Sequence, residues 1–236
     1  MDGLNQVQLK NMEDFCRPTF AKISFHKKEK ILLEAQKEFA KNGYISANIN
    51  RIAKNASISI GSMYSYFDSK EKLFLGVLQI GINTLEIALN TIDIEKNEFY
   101  DIVRDLLKIA REYATNYKEM NQIYMDLSSQ VLEDMLIASR VSYDIEHLTK
   151  DIYKKIIKKG KKDGVVSKSI DSDILSFYLD NIITTYQFSF TSTYWKNRLC
   201  ILLKDKSENY EEIEEELITI IREGVQKGNG KDKQQE

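Results

Sequence analysis

The sequence predicts an all-α protein in which a small three-helix head, containing a helix-turn-helix, precedes a larger helical bundle. Apolar residues recur at intervals of three and four along most of the 236 residues, which is the period of amphipathic helices. The only proline is Pro18, so no later segment contains this strong helix breaker. Short helical segments separated by small polar residues come first, and longer ones follow.

Four helices are predicted in the N-terminal part. Residues 1–24 show no clear period and are interpreted as a poorly ordered lead or a short capping helix. Gly43 ends the first clear helix, because glycine accepts the left-handed backbone that often follows a helix. Ser46 and Ser59 each supply an N-cap oxygen for a short helix. The four helices are expected at about 26–42, 47–56, 60–67 and from Lys70 onward.

The two short helices are joined by residues 57–59 and flanked by longer helices, which is the arrangement of a helix-turn-helix. Ala53 and Ala56 leave room for a close helix crossing, and Ile58 fits the apolar plug of the turn. Met63 and Phe67 are four residues apart and are predicted to face the core. The outward face of the second short helix then holds Ile60, Gly61, Ser62, Tyr64 and Tyr66.

Composition favours a globular protein of a reducing compartment. Hydrophobic residues make up 42% of the chain and charged residues 30%. No apolar run approaches the ~20 residues that cross a bilayer, and the N-terminus lacks the apolar core of a signal peptide, so we expect no membrane partner. The only cysteines, Cys16 and Cys200, lie far apart, which predicts reduced thiols and a cytoplasmic location.

Charge is divided unevenly along the chain. Residues 22–72 hold ten Lys and Arg against five Asp and Glu, whereas residues 73–236 hold 22 against 28. A basic head on an acidic body suits a protein of which only the head meets a polyanion. Chance clustering is the alternative explanation for this asymmetry.

The sequence patterns of enzymes and metal sites are absent. His26 and His147 are the only histidines, and neither has a Cys or a second His at a metal-ligand spacing. No glycine-rich phosphate loop and no nucleophile elbow occurs. The sequence therefore predicts no enzymatic activity, no cofactor and no metal.

Residues 31–74 resemble the DNA-binding head of the TetR family. The family pattern joins an Ile-x-x-x-Ala-x-x-x-Phe first helix, Gly-Tyr, an Ile-Ala pair, a Ser-x-Gly-x-x-Tyr-x-x-Phe recognition helix and a closing Lys-Glu-x-Leu. One departure is Ser57, where the family usually has a glycine that tolerates positive φ. The matching residues are Ile31, Ala35, Phe39, Gly43, Tyr44, Ile52, Ala53, Ser59, Gly61, Tyr64, Phe67, Lys70, Glu71 and Leu73.

The resemblance implies which residues contact double-stranded DNA. Phosphate contacts are expected from the polar side chains of Ser46, Asn48, Ser59, Tyr64 and Lys70. The positions nearest the base edges are expected to be Ile60, Gly61, Ser62 and Tyr66. Because these groove positions hold no Arg, Asn or Gln, we expect apolar contacts and DNA shape to contribute more to sequence preference than bidentate hydrogen bonds.

Beyond about residue 80, helical periods alone guide the interpretation. Helices are predicted at about 98–117, 121–139, 146–162, 171–194 and 210–226. The predicted domains are an N-terminal extension at 1–24, a TetR-type DNA-binding domain at 25–85 with its helix-turn-helix at 48–67, a ligand-binding and dimerisation domain at 86–227 and a polar tail at 228–236.

The resemblance also implies a homodimer and a pocket for a small molecule. The last two long helices would pair with those of a second copy, or else pack only within one chain. Aromatic and methionine side chains suit an unknown small apolar or aromatic effector, whereas core packing is the alternative for each of them. The candidate pocket residues are Tyr113, Tyr117, Met120, Tyr124, Phe177, Tyr178 and Tyr186.

These observations predict a sequence-specific DNA-binding transcriptional regulator, a repressor that a small-molecule effector releases from a palindromic operator. The alternative is a helical sensor or interaction protein whose head no longer reads DNA. Ser57 and the lack of strong base-reading side chains favour the alternative. A basic stripe across the heads of a dimer would favour the regulator.

Overall fold

A computed structural model describes residues 4–127 and 136–226. Within the second range, side chains are described from residue 143 onward. Within the described residues the chain forms α-helices and one 3-10 helix, Lys204–Glu208, and no strand, which confirms the predicted all-α class. The helices are α1 (Pro18–Ala21), α2 (Phe25–Ser46), α3 (Ile49–Asn55), α4 (Ile60–Tyr66), α5 (Lys70–Leu89), α6 (Phe99–Asn116), α7 (Lys118–Leu127), α8 (Leu136–Lys162), α9 (Ser172–Phe188), α10 (Thr193–Leu203) and α11 (Tyr210–Val225).

The described chain divides into two compact units. The N-terminal unit contains the described residues of Met1–Ala88 and Thr115–Glu146, and the C-terminal unit contains those of Leu89–Ala114 and His147–Glu236. Each unit buries its own set of large apolar side chains, so each has a core of its own.

The core of the N-terminal unit is rich in aromatic rings. Phe39 from α2 meets Phe74 from α5 edge to face, with ring centroids 4.9 Å apart. Phe20 from α1 lies 4.8 Å from Phe67, the residue that follows α4. Such ring pairs contribute about 0.5–1.5 kcal/mol beyond the burial of apolar area. The first pair joins the long helices α2 and α5, and the second joins the short helix α1 to the end of α4.

The helix bounds of the head follow the prediction, with one correction. Gly43 interrupts α2 with a φ of 67°, as expected, although helical residues resume after it as far as Ser46. Asn48 caps α3, because its Oδ1 accepts a hydrogen bond from the N–H of Asn50 at 2.8 Å. Ser46 was the predicted cap, and that prediction is wrong because Ser46 ends α2 instead. Ser59 caps α4 as predicted.

The segment that precedes α1 packs against α5. Met12 and Phe15 are buried, and a Cβ added to Gly76 would lie 2.9 Å from Cε of Met12. Asn83 donates from Nδ2 to the carbonyl oxygens of Gln8 and Lys10, at 2.9 and 2.8 Å. Of the two interpretations of residues 1–24, the described residues do not fit a poorly ordered lead, whereas α1 is a short helix as the other interpretation expects. The apolar residues before α1 follow no helical period because they pack individually onto another helix.

Helix α5 is long and apolar enough to resemble a membrane span. However, 67% of its most apolar window is buried inside the protein. A core helix of a globular protein has the same length and composition, so burial inside the protein accounts for the apolar sequence of α5.

The C-terminal unit departs from the prediction at its longest expected helix. The predicted helix 171–194 is two helices, since α9 ends at Phe188 and α10 begins at Thr193. Ser192 caps α10, its Oγ accepting a hydrogen bond from the N–H of Trp195 at 3.4 Å. Ser and Thr side chains compete for backbone hydrogen bonds and favour helix ends, so the four Ser and Thr residues among positions 189–193 are the signal for this break.

The start of α8 also differs from the prediction. Helix α8 begins at Leu136, before the predicted start at 146, and ends ahead of Gly164, which has a φ of 78°. The predicted helix 121–139 falls in part outside the described residues, as does the predicted tail 228–236. The core of this unit includes five fully buried residues from four helices, Ile102, Leu107, Ile156, Leu179 and Ile218.

Candidate nucleic-acid interface

Helix α4 has one buried face and one exposed face. Met63 and the following Phe67 are fully buried, as predicted, and Ala53 and Ala56 are buried where α3 crosses. On the other side Ile60 is 40% exposed and Tyr64 is 50% exposed. The helix is therefore anchored by its core side while Ile60, Gly61 and Tyr64 face outward.

A pair of serine hydroxyls lies at the start of α4. Ser59 Oγ accepts a hydrogen bond from the N–H of Ser62 at 3.0 Å and lies 2.9 Å from Ser62 Oγ. Each hydroxyl carries one proton, and the contact between the two oxygens uses only one of them. The pair can therefore still donate one hydrogen bond to an outside acceptor such as a phosphate oxygen.

The turn between α3 and α4 contains the strained residue that the sequence predicts. Ser57 has a φ of 59°, in the left-handed region that is unfavourable for a side chain with a Cβ. Lys30 donates from Nζ to Ser57 Oγ at 2.8 Å, and the N–H of Ile58 donates to the carbonyl oxygen of Ala53 at 2.9 Å. These two hydrogen bonds hold the turn in place.

A buried carboxylate fixes the position of α3 on α2. Glu38 is buried and accepts hydrogen bonds from the N–H of Asn48 at 2.9 Å and from Nε of Arg51 at 3.0 Å. Burial acts to raise the pKa of Glu38, but the hydrogen bonds from Arg51 and Asn48 outweigh it and hold that pKa below its usual value. A charged Glu38 therefore orders the start of the helix-turn-helix, and the sequence pattern gave no sign of this pair.

Lys70 is turned toward the protein backbone. Its Nζ donates to the carbonyl oxygens of Ile45 at 2.9 Å and Ala47 at 3.3 Å, and it lies 4.8 Å from the centroid of the Tyr44 ring. Ser46, between these two carbonyls, is exposed. The ammonium group thus holds the connection between α2 and α3, and the predicted phosphate contact would have to use its remaining donor.

Tyr66 does not lie on the outward face, so its predicted placement is wrong. It is only 7% exposed, and its ring centroid lies 5.9 Å from that of Phe20. The N–H of Arg17 donates to the carbonyl oxygen of Tyr66 at 2.8 Å, so the segment at the start of α1 covers the end of α4. Tyr66 lies three residues after Met63, a helical spacing that places both on the buried face.

Two lysines that lie outside the family pattern flank α4. Lys30 reaches the turn before the helix through Ser57, and Lys27 places its Nζ 5.6 Å from the centroid of the Tyr66 ring at the far end. Both side chains come from the first turns of α2. An ammonium group therefore lies near each end of α4.

The candidate pocket residues are divided between the two units. Tyr117, Met120 and Tyr124 belong to the N-terminal unit, whereas Tyr113, Phe177, Tyr178 and Tyr186 belong to the C-terminal unit. Met120 has a packing role, since a Cβ added to Gly81 would lie 2.6 Å from its Sδ. In the C-terminal unit, Tyr178 and Tyr186 share a groove of about 550 Å³ between α9, α10 and α11. Phe177 is not among the residues that line it.

A buried polar cluster lies beside this groove. Glu214 is buried and accepts hydrogen bonds from Nε of Arg111 at 2.7 Å and from the hydroxyl of Tyr186 at 2.9 Å. Burial and the neighbouring carboxylate both raise the pKa of Tyr186, so its hydroxyl stays protonated and donates. The cluster links α6, α9 and α11 within the C-terminal unit.

Similarity to known proteins in sequence is concentrated in the head. Residues 31–77 match the family model for bacterial regulatory proteins, tetR family. The uncharacterized HTH-type transcriptional regulator YuxN of Bacillus subtilis is 50% identical over 52 residues, which is 22% of this chain and 18% of that protein. The HTH-type transcriptional regulator QacR of Staphylococcus aureus is 43% identical over 53 residues, 22% of this chain and 28% of that protein. The chain thus matches less than a third of the length of either relative.

Similarity in fold extends over most of the chain. A TetR family transcriptional regulator from Chloroflexus aurantiacus matches with a TM-score of 0.66 and 23% identity, over 90% of this chain and 99% of that one. AibR in complex with isovaleryl coenzyme A and operator DNA matches with a TM-score of 0.55 and 12% identity, over 68% and 83%. At these identities the likeness concerns the fold. The head of this chain therefore matches the family of TetR bacterial regulatory proteins, and most of the chain shares the fold of a solved TetR family regulator.

Proposed function

We propose that this protein is a sequence-specific transcriptional regulator that binds a palindromic operator as a homodimer. The observation that supports this best is the outward face of α4, where Ile60 and Tyr64 are exposed while Met63 holds the helix to the core. A short helix anchored on one face and free on the other has the form required to enter the major groove. Residues 25–85 would then be the DNA-binding domain.

Each proposed DNA contact follows from the chemistry of the side chain. Ile60 offers methyl groups to a thymine methyl, and Gly61 keeps α4 free of a side chain that would hold it away from the bases. Tyr64 and the Ser59–Ser62 pair donate hydroxyl hydrogen bonds to phosphates.

The lysines that flank α4 and the other proposed DNA-contact residues have different roles in DNA binding. Lys27 and Lys30 supply positive charge at the two ends of α4, while Ser46 and Asn48 contact phosphate from the start of α3. Lys70 chiefly supports the backbone that carries Ser46.

The proposed dimer forms through the outer faces of α9 and α11. Ile174, Phe177 and Tyr178 make an exposed apolar stripe at helical spacing on α9, and Phe177 is 69% exposed. Ile220 is the exposed apolar residue of α11. Two copies related by a two-fold axis would bury both faces as a four-helix bundle, with two α4 helices about one DNA turn apart.

We further propose that residues 86–227 also bind a small apolar or aromatic effector that releases the operator, so that the protein is a repressor and not an enzyme. AibR, which shares the fold, has been solved with both isovaleryl coenzyme A and operator DNA. An effector would shift the dimer only as far as its affinity differs between the DNA-binding and released states. A regulator of this kind works where the chromosome is, in the cytoplasm.

The experiment that tests the proposed function starts from a pool of random DNA duplexes and the purified full-length protein. We expect selection to enrich a palindrome that the protein binds with a steep dependence on salt, and Tyr64→Ala to lose about ten-fold or more in affinity. Tyr143→Ala, which alters another exposed tyrosine, is the matched control and should bind normally. Failure to enrich any sequence, with no salt-sensitive binding, would favour the alternative of a helical interaction protein.

A further inference from the structure

Helix α10 is apolar, yet none of its side chains is buried. Seven of its eleven residues are Tyr, Trp, Leu, Ile or Cys, and Tyr194 and Ile201 are 71% and 75% exposed. A soluble helix normally buries its apolar residues, and an exposed cluster of this kind marks a surface that another molecule covers.

This exposed surface continues across three helices of the C-terminal unit. Leu199, Leu202 and Leu203 of α10 form one wall of the 550 Å³ groove. The opposite walls come from Tyr178 and Ile182 of α9 and from Ile213, Leu217 and Ile220 of α11. Tyr194 and Ile201 do not line this groove, and both are exposed two helical turns apart on α10, so they form a separate apolar ridge. One chain therefore presents both an apolar groove and an apolar ridge.

The segment that carries the ridge and the segment beside the groove have net charges of opposite sign. Residues 193–208, which we call the arm, carry four Lys or Arg against two acidic residues. Residues 211–216, which we call the acidic row, contain five glutamates. One pair between the two already forms within the chain, Lys206 Nζ to Glu212 Oε1 at 2.7 Å. Among the described residues, the side chains of Lys196, Lys204, Glu211 and Glu216 form no ion pair within 4.0 Å.

We infer that the arm docks on the groove and the acidic row of a second copy of this chain. A two-fold interface brings every surface patch of one copy against a patch of the other, so a surface that carries a ridge and a groove of opposite charge is complementary to itself. The inference rests on the homodimer proposed above and extends it from α9 and α11 to α10. A membrane fits less well, because the acidic row beside the groove would be repelled by anionic lipid headgroups.

The first test is the Ile201→Glu variant, measured by sedimentation over a range of concentrations. Ile201 is 75% exposed in its own chain, so the variant should keep its helical circular dichroism while its dimer dissociation constant rises about 100-fold, the loss typical of a central interface residue. Val7→Glu, at another exposed apolar position, is the matched control and should leave the dimer unchanged.

The second test exchanges the charges. Lys196→Glu with Lys204→Glu makes an acidic arm, and Glu211→Lys with Glu216→Lys makes a basic row. Each double variant alone should dimerise more weakly, by about ten-fold at low salt. An equimolar mixture should recover wild-type affinity as a heterodimer, because each arm then meets a row of opposite charge. Charge effects within one chain would not be relieved by mixing.

The outcomes separate this inference from the proposed function. If the wild type is monomeric at every concentration, the proposed homodimer fails. If the wild type is a dimer that Phe177→Glu breaks and Ile201→Glu does not, the dimer stands and the role of the arm is overturned. If mixing restores nothing, or if monomeric wild type sediments with phosphatidylserine vesicles, the second copy is the wrong occupant of the groove. DNA binding by α4 is scored separately by its salt dependence.

Discussion

The two units of this protein expose surfaces of different chemistry. The outward face of α4 in the N-terminal unit combines Ile60 and Tyr64 with serine hydroxyls and with lysines near both ends. The outer faces of α9 to α11 in the C-terminal unit are largely apolar, with carboxylates at their edge. Hydroxyl and ammonium groups suit phosphate, whereas apolar stripes suit another protein surface. The exposed side chains thus indicate a different partner for each unit.

Each unit has a buried carboxylate that accepts hydrogen bonds, Glu38 in the N-terminal unit and Glu214 in the C-terminal unit. We expect the largest change in stability on replacing Glu214. Replacing Glu214 with Ala removes the buried carboxylate to which Arg111 Nε and the Tyr186 hydroxyl donate hydrogen bonds. We expect a loss of about 3–5 kcal/mol in the free energy of unfolding, measured by urea denaturation. The matched control is Glu215→Ala, whose exposed pair with Arg104 should contribute less than about 1 kcal/mol. Equal losses at the two positions would contradict a structural role for the buried cluster.

The corresponding carboxylate of the head, Glu38, should give a smaller and pH-dependent effect. Glu38→Gln should lower stability by about 1.5–3 kcal/mol at neutral pH, because a charged acceptor for Arg51 and the Asn48 N–H is lost. The folded pKa lies below the unfolded value, so this stabilisation is present above the unfolded pKa and is lost as the pH falls through the folded pKa. Urea denaturation from pH 7 down to about pH 3 should show the two proteins converging. A constant difference across that range would exclude a charged Glu38 as the cause.

The two lysines beside α4 should affect DNA binding and leave folding intact. Lys27→Ala should weaken binding to all sequences by a similar factor and reduce the slope of log K against log salt by about 1. Ile60→Ala should instead alter base preference, since its methyl groups offer no contact to phosphate. Fluorescence anisotropy at several salt concentrations, with two operators that differ at one base pair, distinguishes these outcomes. A Lys27 variant with changed base preference would contradict the assigned role.

The smallest predicted effect is a gain of stability at the turn. Ser57→Gly removes the steric cost of a φ of 59°, although it also loses the hydrogen bond from Lys30. We expect a net increase of about 0.5–1 kcal/mol in the free energy of unfolding, with DNA affinity unchanged. Ser62→Gly is the control, since it places glycine inside a helix with ordinary φ and should destabilise by about the same amount. A destabilised Ser57 variant would show that the side chain contributes more than the strain removes.

The helices of the head were predictable because local chemistry determines them. The spacing of Ile31, Ala35 and Phe39 defines one buried face of α2, and Ser59 caps α4 as its residue type suggests. The positive φ at Ser57 was also expected from the glycine that the family usually has there. In each case the determining residues lie within a few positions of one another.

Contacts between distant residues were not predictable in the same way. Glu38 and Arg51 are thirteen residues apart, and Lys70 meets the carbonyl of Ile45 across twenty-five. The burial of Tyr66 depends on the segment near Phe20, which shows no helical period. A polar side chain in the sequence carries no sign of which distant group it will meet. These contacts place Lys70 against backbone carbonyl groups and Tyr66 in the core, whereas the pattern alone assigned both residues to DNA.

In the body, the sequence showed which residues are apolar but not which surfaces those residues contact. The stripe on α9 and the residues of α11 are equally apolar whether they face the core or a second copy. The break at 189–192 separates α10 from α9. Residues of α10 therefore line one wall of the groove, whereas in one continuous helix they would extend α9. Helical period alone cannot distinguish these arrangements, because both bury apolar residues at the same spacing.

DNA binding by two linked α4 helices is tested most directly by the affinity of the full-length dimer for selected palindromes whose half-sites are moved apart by half a helical turn. If α4 reads each half-site and the C-terminal unit fixes the distance between two heads, affinity should fall about 100-fold, since both heads can no longer bind at once. The same change should matter little to a variant that Phe177→Glu has made monomeric. Equal affinity of the wild-type protein for both spacings would contradict the account.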